Sequence, residues 1–225
     1  RPALPGPRPS VILATMNGMT FIDMLKISIA MPILLILSLA IFAQALERIY
    51  SYWVAQKMPV AMWERVRDRL EAGDKAGAIA IARRDTSLMG EAITRLISLE
   101  TANTEKLVEA FQLYRQRLSL GLNRRVGLFG TASFISPLIG LMGTVLGIMR
   151  AFHDLSAAGA GGPAVVAAGI SEALVATAFG IGLAVVAALF YNYFTLTARH
   201  RLNTADLWVL EMAQLLEDHG GKPVS

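Results

Sequence analysis

Three long apolar stretches divide the sequence. Residues 27–46, 126–149 and 173–198 each run without a charged side chain. An α-helix rises about 1.5 Å per residue, so about 20 apolar residues cross a hydrocarbon core of about 30 Å. The pattern predicts three transmembrane helices, and the expected fold class is an all-α integral membrane protein.

The region between the first and second stretches has a different composition. Residues 47–125 hold 14 Lys/Arg and 10 Asp/Glu. Apolar residues recur there at helical spacing, as Trp63, Val66 and Leu70 do, with charged residues around them. This spacing predicts amphipathic helices packed into a helical domain.

Local signals place further helices in this domain. Gly73 followed by Asp74 is typical of a helix end and the N-cap of the next helix. Helices are also predicted over 87–100 and 104–123, and the second of these is expected to run without a break into the second apolar stretch. Residues 199–225 resume a helical pattern after the third. Transmembrane helices two and three should therefore extend beyond the membrane.

The N-terminal region is different again. Residues 1–10 contain four prolines, which fix φ and lack a backbone donor, so an extended tail is expected. Residues 11–25 are mildly apolar and too short to span, which favours an interfacial helix. The sequence begins with Arg1 rather than Met, and a removed signal peptide stays open at this stage.

Basic residues predict the orientation. They cluster at both membrane ends of 47–125, whereas 150–172 carries only Arg150. The positive-inside rule then places 47–125 and the C-terminus in the cytoplasm and the N-terminus outside. The predicted segments, in chain order, are an extracytoplasmic tail and interfacial helix (1–26), a first span (27–46), a cytoplasmic domain (47–125), a second span (126–149), an extracytoplasmic loop (150–172), a third span (173–198) and a cytoplasmic helix (199–225).

Composition agrees with a membrane protein and excludes several functions. Hydrophobic residues make up 54% and charged residues 17% of the chain, with no cysteine. A thiolate metal site is thereby excluded, and the three histidines show no metal-ligand spacing. The net charge of +4 is too small to favour nucleic-acid binding. No nucleophile–base arrangement is recognisable, so neither an enzyme nor a cofactor is expected.

Two threonines are the candidate site. Thr144 lies six residues before Arg150, and Thr177 lies five residues after Glu172, so both should sit roughly 8–9 Å below the outer ends of their spans. One interpretation is that each hydroxyl only bonds the carbonyl four residues earlier. The other is that the pair forms part of an ion pathway, together with the boundary carboxylate Glu172.

Small residues accompany the threonines on the second and third spans. Such residues let helices approach closely, and the spacing of Gly143 and Gly147 is a small-xxx-small pattern. They serve either plain helix packing or a lumen that accommodates a partner helix. The residues assigned to this face are Ser133, Pro137, Gly140, Gly143, Gly147, Gly180 and Ala184.

Two motifs resemble a known family. Pro137–Phe152 and Val166–Gly182 are similar to the second-span and third-span signatures of the ExbB/TolQ/MotA proton-channel family. The resemblance implies a homopentamer in the bacterial inner membrane around a dimer of a single-span ExbD/TolR-like protein with an intramembrane aspartate. It also assigns Thr144, Thr177 and Glu172 to the ion pathway. This partner would supply the carboxylate that the three uncharged spans lack.

Three functional hypotheses follow. The first is a stator subunit of a motor driven by the proton motive force, which energises envelope transport, envelope integrity or motility. The second is a non-conducting membrane scaffold, and the third is an autonomous ion channel. The sequence leaves open the choice between H⁺ and Na⁺, and that among ExbB-like, TolQ-like and gliding-motor subfamilies.

Overall fold

The computed structural model of the chain describes residues 29–54, 58–99, 103–158 and 163–220. These residues form helices and short turns, with no strand among them. In chain order the helices are α1 (Ala30–Val54), α2 (Val60–Glu71), α3 (Lys75–Arg84), α4 (Leu88–Ile97), α5 (Thr104–Asn123), α6 (Gly127–Ala158) and α7 (Pro163–Gly220).

The all-α fold class is confirmed. Within the described ranges, three segments are long and apolar enough to cross a membrane: Ala30–Tyr52 in α1, Thr104–Ser156 across α5 and α6, and Val166–Asp218 in α7. The proline-rich tail and the interfacial helix predicted over 1–26 lie outside the described residues.

The chain divides into two compact units, to which the three long helices each contribute. Of the described residues, the first unit contains 29–43, 128–158 and 163–189. The second contains 44–127, apart from its undescribed positions, and 190–220. The first unit therefore holds the greater part of each apolar stretch, and the second holds the polar helices.

The first unit exposes many large apolar side chains, and its buried residues are mainly alanines together with a few large side chains such as Leu34 and Phe129. Ala173 and Ala176 are almost inaccessible, whereas Leu39 is 73% and Phe134 is 72% exposed. This is the reverse of a soluble core, and it suits a helix bundle whose outer surface contacts lipid. A small cluster of Ala30, Met31 and Ala176 packs the start of α1 against α7.

The second unit has a conventional hydrophobic core. Trp63 and Trp208 stack at its centre with ring centroids 5.4 Å apart and an angle of 12° between the planes. Val66 and Leu70 lie on the same buried face of α2 as Trp63, as the helical spacing predicts. The face of α7 that closes this core carries Ala205, Trp208, Val209, Met212, Ala213 and Leu216.

Helix ends in the second unit follow local sequence signals. Gly73 adopts φ 74, which glycine tolerates, and directly follows α2 and Ala72. The side chain of Asp74 then accepts the Gly77 N–H at 2.8 Å and caps α3. Ser87 caps α4 and Asn103 caps α5 in the same way. The predicted stop and N-cap at 73–74 are confirmed.

The expected uninterrupted helix from 104 into the second apolar stretch is wrong. Helix α5 ends at Asn123, residues 124–126 form a turn, and α6 begins at Gly127. Arg125 has φ 57, in the left-handed region. The Val126 N–H donates to the Asn123 carbonyl at 3.1 Å, which is the i to i+3 bond of a 3₁₀-type turn. In a continuing α-helix this N–H would donate to the Leu122 carbonyl.

The connection predicted between the second and third spans is mostly helical. Helix α6 continues past Arg150 to Ala158, and α7 begins at Pro163. Proline suits the first turn of a helix, where its missing N–H would have had no partner. Helix α7 then continues through the third apolar stretch and the predicted C-terminal helix as one element. The charged residues Arg150 and Glu172, which were used to predict the ends of the spans, therefore lie inside helices α6 and α7 rather than at their ends.

Candidate functional site

Helices α6 and α7 meet along a glycine seam, here defined as Gly140, Gly147, Gly169 and Gly180. A Cβ added at Gly140 would lie 2.9 Å from the Ala176 carbonyl oxygen and 3.0 Å from the Thr177 Cα. A Cβ at Gly180 would lie 2.6 Å from the Ser136 carbonyl oxygen. The two backbones thus touch, and only residues without a side chain fit at these points.

The seam continues toward the far ends of the two helices. A Cβ at Gly147 would lie 2.6 Å from the Cβ of Ala173. One at Gly169 would lie 2.5 Å from the Cβ of Ala151. The contacts follow an antiparallel order, because rising residue numbers on α6 meet falling numbers on α7.

The two predicted threonines meet within this seam. The hydroxyls of Thr144 and Thr177 form a hydrogen bond with each other. The Thr177 hydroxyl also lies 2.9 Å from the Gly140 carbonyl oxygen. The Thr144 hydroxyl lies 3.3 Å from the carbonyl oxygens of both Gly140 and Ala173. The sequence predicted that the two threonines lie at the same depth, and in the structure their side chains are in contact. We call these two hydroxyls and two carbonyls the threonine cluster.

The distances favour one arrangement of protons in the threonine cluster. Each hydroxyl has one hydrogen to donate and two lone pairs to accept with. If Thr177 donates to Gly140, at the shorter distance, Thr144 can donate to the Thr177 oxygen. The Thr144 oxygen then keeps its lone pairs. Both side chains are half-buried, so this acceptor is not sealed inside the chain.

Glu172 lies close in sequence to the cluster but on a different side of α7. It directly precedes Ala173, whose carbonyl faces Thr144. It is half-buried. Five residues separate it from Thr177, which is about 140° around a helix of 3.6 residues per turn. Its role in the ion pathway stays a prediction.

The other predicted small residues differ in their surroundings. Gly143 is buried and Ala184 is 8% exposed. Ser133 and Pro137 are half-buried, and the Ser133 hydroxyl donates to the Gly130 carbonyl of its own helix at 2.8 Å. Pro137 interrupts the helical ladder because it has no N–H for the Ser133 carbonyl.

Several seam residues were missed by the sequence reasoning. Ser136 is fully buried, donates to the Ala132 carbonyl at 2.6 Å and presents its own carbonyl to Gly180. Ala151, Gly169 and Ala173 complete the contacts toward the other end. Four-residue spacing could have revealed them, because Ser136 precedes Gly140, Ala151 follows Gly147, and Gly169 and Ala173 precede Thr177 at such steps.

Comparison with known proteins bears on this pair of helices. The family model of the MotA/TolQ/ExbB proton channel family matches residues 83–206, more than half of the chain and inclusive of both threonines. The chain belongs to the MotA/TolQ/ExbB proton channel family. With three helices able to span a membrane, it is a multi-pass membrane protein.

Individual relatives agree with this assignment. The putative biopolymer transport protein ExbB-like 3 of Synechocystis sp. is 36% identical over 174 residues, covering 74% of this chain and 80% of the relative. The biopolymer transport protein ExbB of Salmonella typhimurium is 36% identical over 129 residues, 55% of this chain and 53% of that protein. The Tol-Pal system protein TolQ of Haemophilus influenzae is 44% identical over 89 residues, 40% and 39% of the two chains. The chain thus spans about half of this ExbB and less of this TolQ.

Proposed function

We propose that this chain is the ring-forming stator subunit of an inner-membrane motor driven by the proton motive force. In this proposal five copies surround a dimer of a single-span ExbD/TolR-like protein that carries an intramembrane aspartate. The transported ion is H⁺, with Na⁺ as the alternative, since hydroxyl oxygens serve both. The names of the relatives, biopolymer transport protein and Tol-Pal system protein, point to envelope processes as the work performed.

The observation that carries the proposal is the threonine cluster within uncharged helices. Stretches 27–46, 126–149 and 173–198 contain no Asp, Glu, Lys, Arg or His. In this proposal the proton crosses on a titratable side chain, the kind of group that is costly inside a membrane span and therefore marks a proton relay. Membership of a proton channel family and the lack of such a carrier together favour a carboxylate supplied by another protein.

The proton arrangement of the cluster suggests what the chain does to that carboxylate. The Thr144 oxygen can accept a hydrogen bond from a protonated carboxyl without breaking any bond in the cluster. An ionised carboxylate would need a donor, and in the arrangement favoured above both hydroxyl hydrogens are engaged, one with the Thr177 oxygen and one with the Gly140 carbonyl. The cluster would therefore favour the neutral carboxyl. Ionisation would be favoured elsewhere, so that proton release is coupled to movement past the cluster.

The energy available fits such a cycle. One charge that crosses 100 mV releases about 2.3 kcal/mol. Neutralising the moving carboxyl during its passage avoids the desolvation cost of an ion in the membrane. In the proposed orientation the N-terminus and 150–172 lie outside, while 47–125 and the C-terminus lie in the cytoplasm.

The test is ion flux through the reconstituted complex. The chain is co-expressed with a single-span ExbD/TolR-like protein that carries an intramembrane aspartate, and the complex is purified and placed in liposomes with an entrapped pH dye and a potassium diffusion potential. Thr144→Val together with Thr177→Val removes both hydroxyls and keeps the side-chain volumes, and should lower the proton flux at least tenfold. Thr131→Val is the matched control, because Thr131 is an exposed residue of the same helix α6.

The outcomes separate the hypotheses. Loss of flux in the double variant, with the complex still assembled and Thr131→Val unaffected, supports the proposal. Unchanged flux in the double variant would refute the role of the threonines. Flux from the purified chain alone would indicate an autonomous channel. A cellular function that survives collapse of the ion gradients would indicate the scaffold.

A further inference from the structure

The turn at residues 124–126 needs an explanation beyond its own sequence. A left-handed residue that carries a Cβ is disfavoured, and Arg125 has φ 57. Helix ends of this kind usually place glycine at the left-handed position. Here the nearest glycines are Gly121 and Gly127, on either side of the turn. Contacts from elsewhere must therefore help to end α5.

The carbonyls at the end of α5 provide those contacts. In a continuous α-helix the carbonyls of Gly121 and Leu122 would accept from the N–H groups of Arg125 and Val126. Instead the Tyr52 hydroxyl donates to the Leu122 carbonyl at 2.7 Å. Arg48, also on α1, donates to the carbonyls of Gly121 and Leu122. The side chains of Tyr52 and Arg48 thus occupy the acceptors that a continuing helix would require.

Arg48 is an unusual residue for such a position. Its Nη1 lies 3.1 Å from the Leu122 oxygen and 3.4 Å from the Gly121 oxygen. The residue is only 2% exposed, and its Nε has no hydrogen-bond partner among the described residues. Burying a cation without a full set of partners is costly. The negative end of the α5 dipole offsets part of this cost.

The ring of Tyr52 is held from two sides. The guanidinium carbons of Arg48 and Arg201 lie 5.5 Å and 4.7 Å from the Tyr52 ring centroid, within cation–π range. Arg201 also donates to the Tyr52 carbonyl at 3.2 Å. The hydroxyl that caps α5 is therefore fixed in place by α7.

We infer that Arg48 and Tyr52 form a helix-breaking clasp with two states. When the clasp is engaged, α5 and α6 are separate helices. When α1 withdraws these side chains, the N–H groups of Arg125 and Val126 can take the carbonyls of Gly121 and Leu122, and one continuous helix forms. The helical pattern that runs through 104–149 supports the second state. This inference concerns the conformation of the chain and does not depend on ion flow.

Spin labels can measure the two states in the assembled protein, since the chain has no cysteine. Leu113 and Phe134 are exposed, and the substitutions Leu113→Cys and Phe134→Cys provide the two attachment sites. The labelled chain is diluted with unlabelled chain, so that only distances within one chain are measured. A continuous helix would separate these two backbones by about 32 Å, at 1.5 Å per residue. Arg48→Met with Tyr52→Phe should shift the distance distribution toward this value.

Two further variants complete the test. Arg125→Gly, added to Arg48→Met and Tyr52→Phe, should reverse the shift, because glycine accepts the left-handed conformation. Arg117→Met removes an arginine from α5 outside the clasp and should leave the distribution unchanged. If the clasp variant and the native chain give the same distribution, or if the native chain already shows only the continuous-helix distance, the inference is wrong.

A milder variant answers the case in which the clasp variant fails to fold. Tyr52→Phe removes one hydroxyl and keeps the ring. Exchange of the Arg125 backbone amide with deuterium should become slower than in the native chain, because that N–H gains the helical acceptor more often. Unchanged or faster exchange would overturn the inference.

Discussion

The glycine seam makes a sharp prediction at Gly180. Replacing it by alanine places a Cβ 2.6 Å from the Ser136 carbonyl oxygen and 3.1 Å from the Gly140 Cα. Both neighbours are backbone atoms, which cannot rotate away. Ordinary contact begins near 3.4 Å, so the two helices must separate locally by about 0.8 Å. Gly182→Ala is a matched control on the same helix, because nothing lies within 4 Å of its added Cβ.

The size of the effect follows from the comparison of these two variants. Each gains up to about 1 kcal/mol of helix propensity when glycine becomes alanine. Only Gly180→Ala is overpacked, which costs about 1–3 kcal/mol. The propensity gain cancels in the difference, so Gly180→Ala should be about 1–3 kcal/mol less stable than Gly182→Ala.

Thermal unfolding in detergent measures this difference. For a chain of this size 1 kcal/mol changes the melting temperature by about 2–4 °C, so Gly180→Ala should melt about 2–12 °C below Gly182→Ala. The same shift should weaken the bond of Thr177 to Gly140 and so reduce proton flux in the reconstituted complex. Equal melting temperatures for the two variants would show that the backbones are not in contact at Gly180, and the seam would have to be abandoned.

Three further predictions concern the second unit, and each is measured by denaturant or thermal unfolding of the purified chain. Trp208→Ala should cost about 3–5 kcal/mol, because it removes half of the stacked pair with Trp63, whereas Trp208→Phe should cost much less. Asp74→Ala should cost about 1 kcal/mol through loss of the α3 cap, with Asp74→Asn close to native stability. Arg115→Met removes the 2.8 Å ion pair with Asp206, in which both side chains are about one-third exposed. The substitution should lower the free energy of unfolding by less than about 1 kcal/mol, and by still less in high salt.

The threonine cluster could be predicted from the sequence because depth in a membrane is nearly one-dimensional. Thr144 and Thr177 sit on neighbouring antiparallel helices, so counting residues from Arg150 and Glu172 was enough to align them. The small residues that accompany the threonines indicated which face of each helix packs closely. Ser136 escaped because its backbone, rather than its side chain, meets Gly180.

The break after Asn123 could not be predicted in the same way. The residues that end α5 are Arg48 and Tyr52, which lie about 70 positions earlier in the chain. The sequence at 119–127 contains no proline, and its glycines, Gly121 and Gly127, lie on either side of the turn rather than at its left-handed position. The position of the break therefore depends on tertiary contacts that the local sequence does not show. The helices of the second unit were predictable where their caps are local, as at Asp74 and Ser87, and not where the cap comes from another helix.

The closeness of α6 and α7 also limits where an ion can travel. Where backbone atoms touch at Gly140 and Gly180, no room is left for a water molecule between the two helices of one chain. At these points α6 and α7 leave no passage between them, so the half-buried Thr144 and Thr177 are reached from the surface of the helix pair. Under the proposed function, the carboxyl of the partner would approach this surface from outside the chain, and a compound bound to the same surface would block it without entering the bundle.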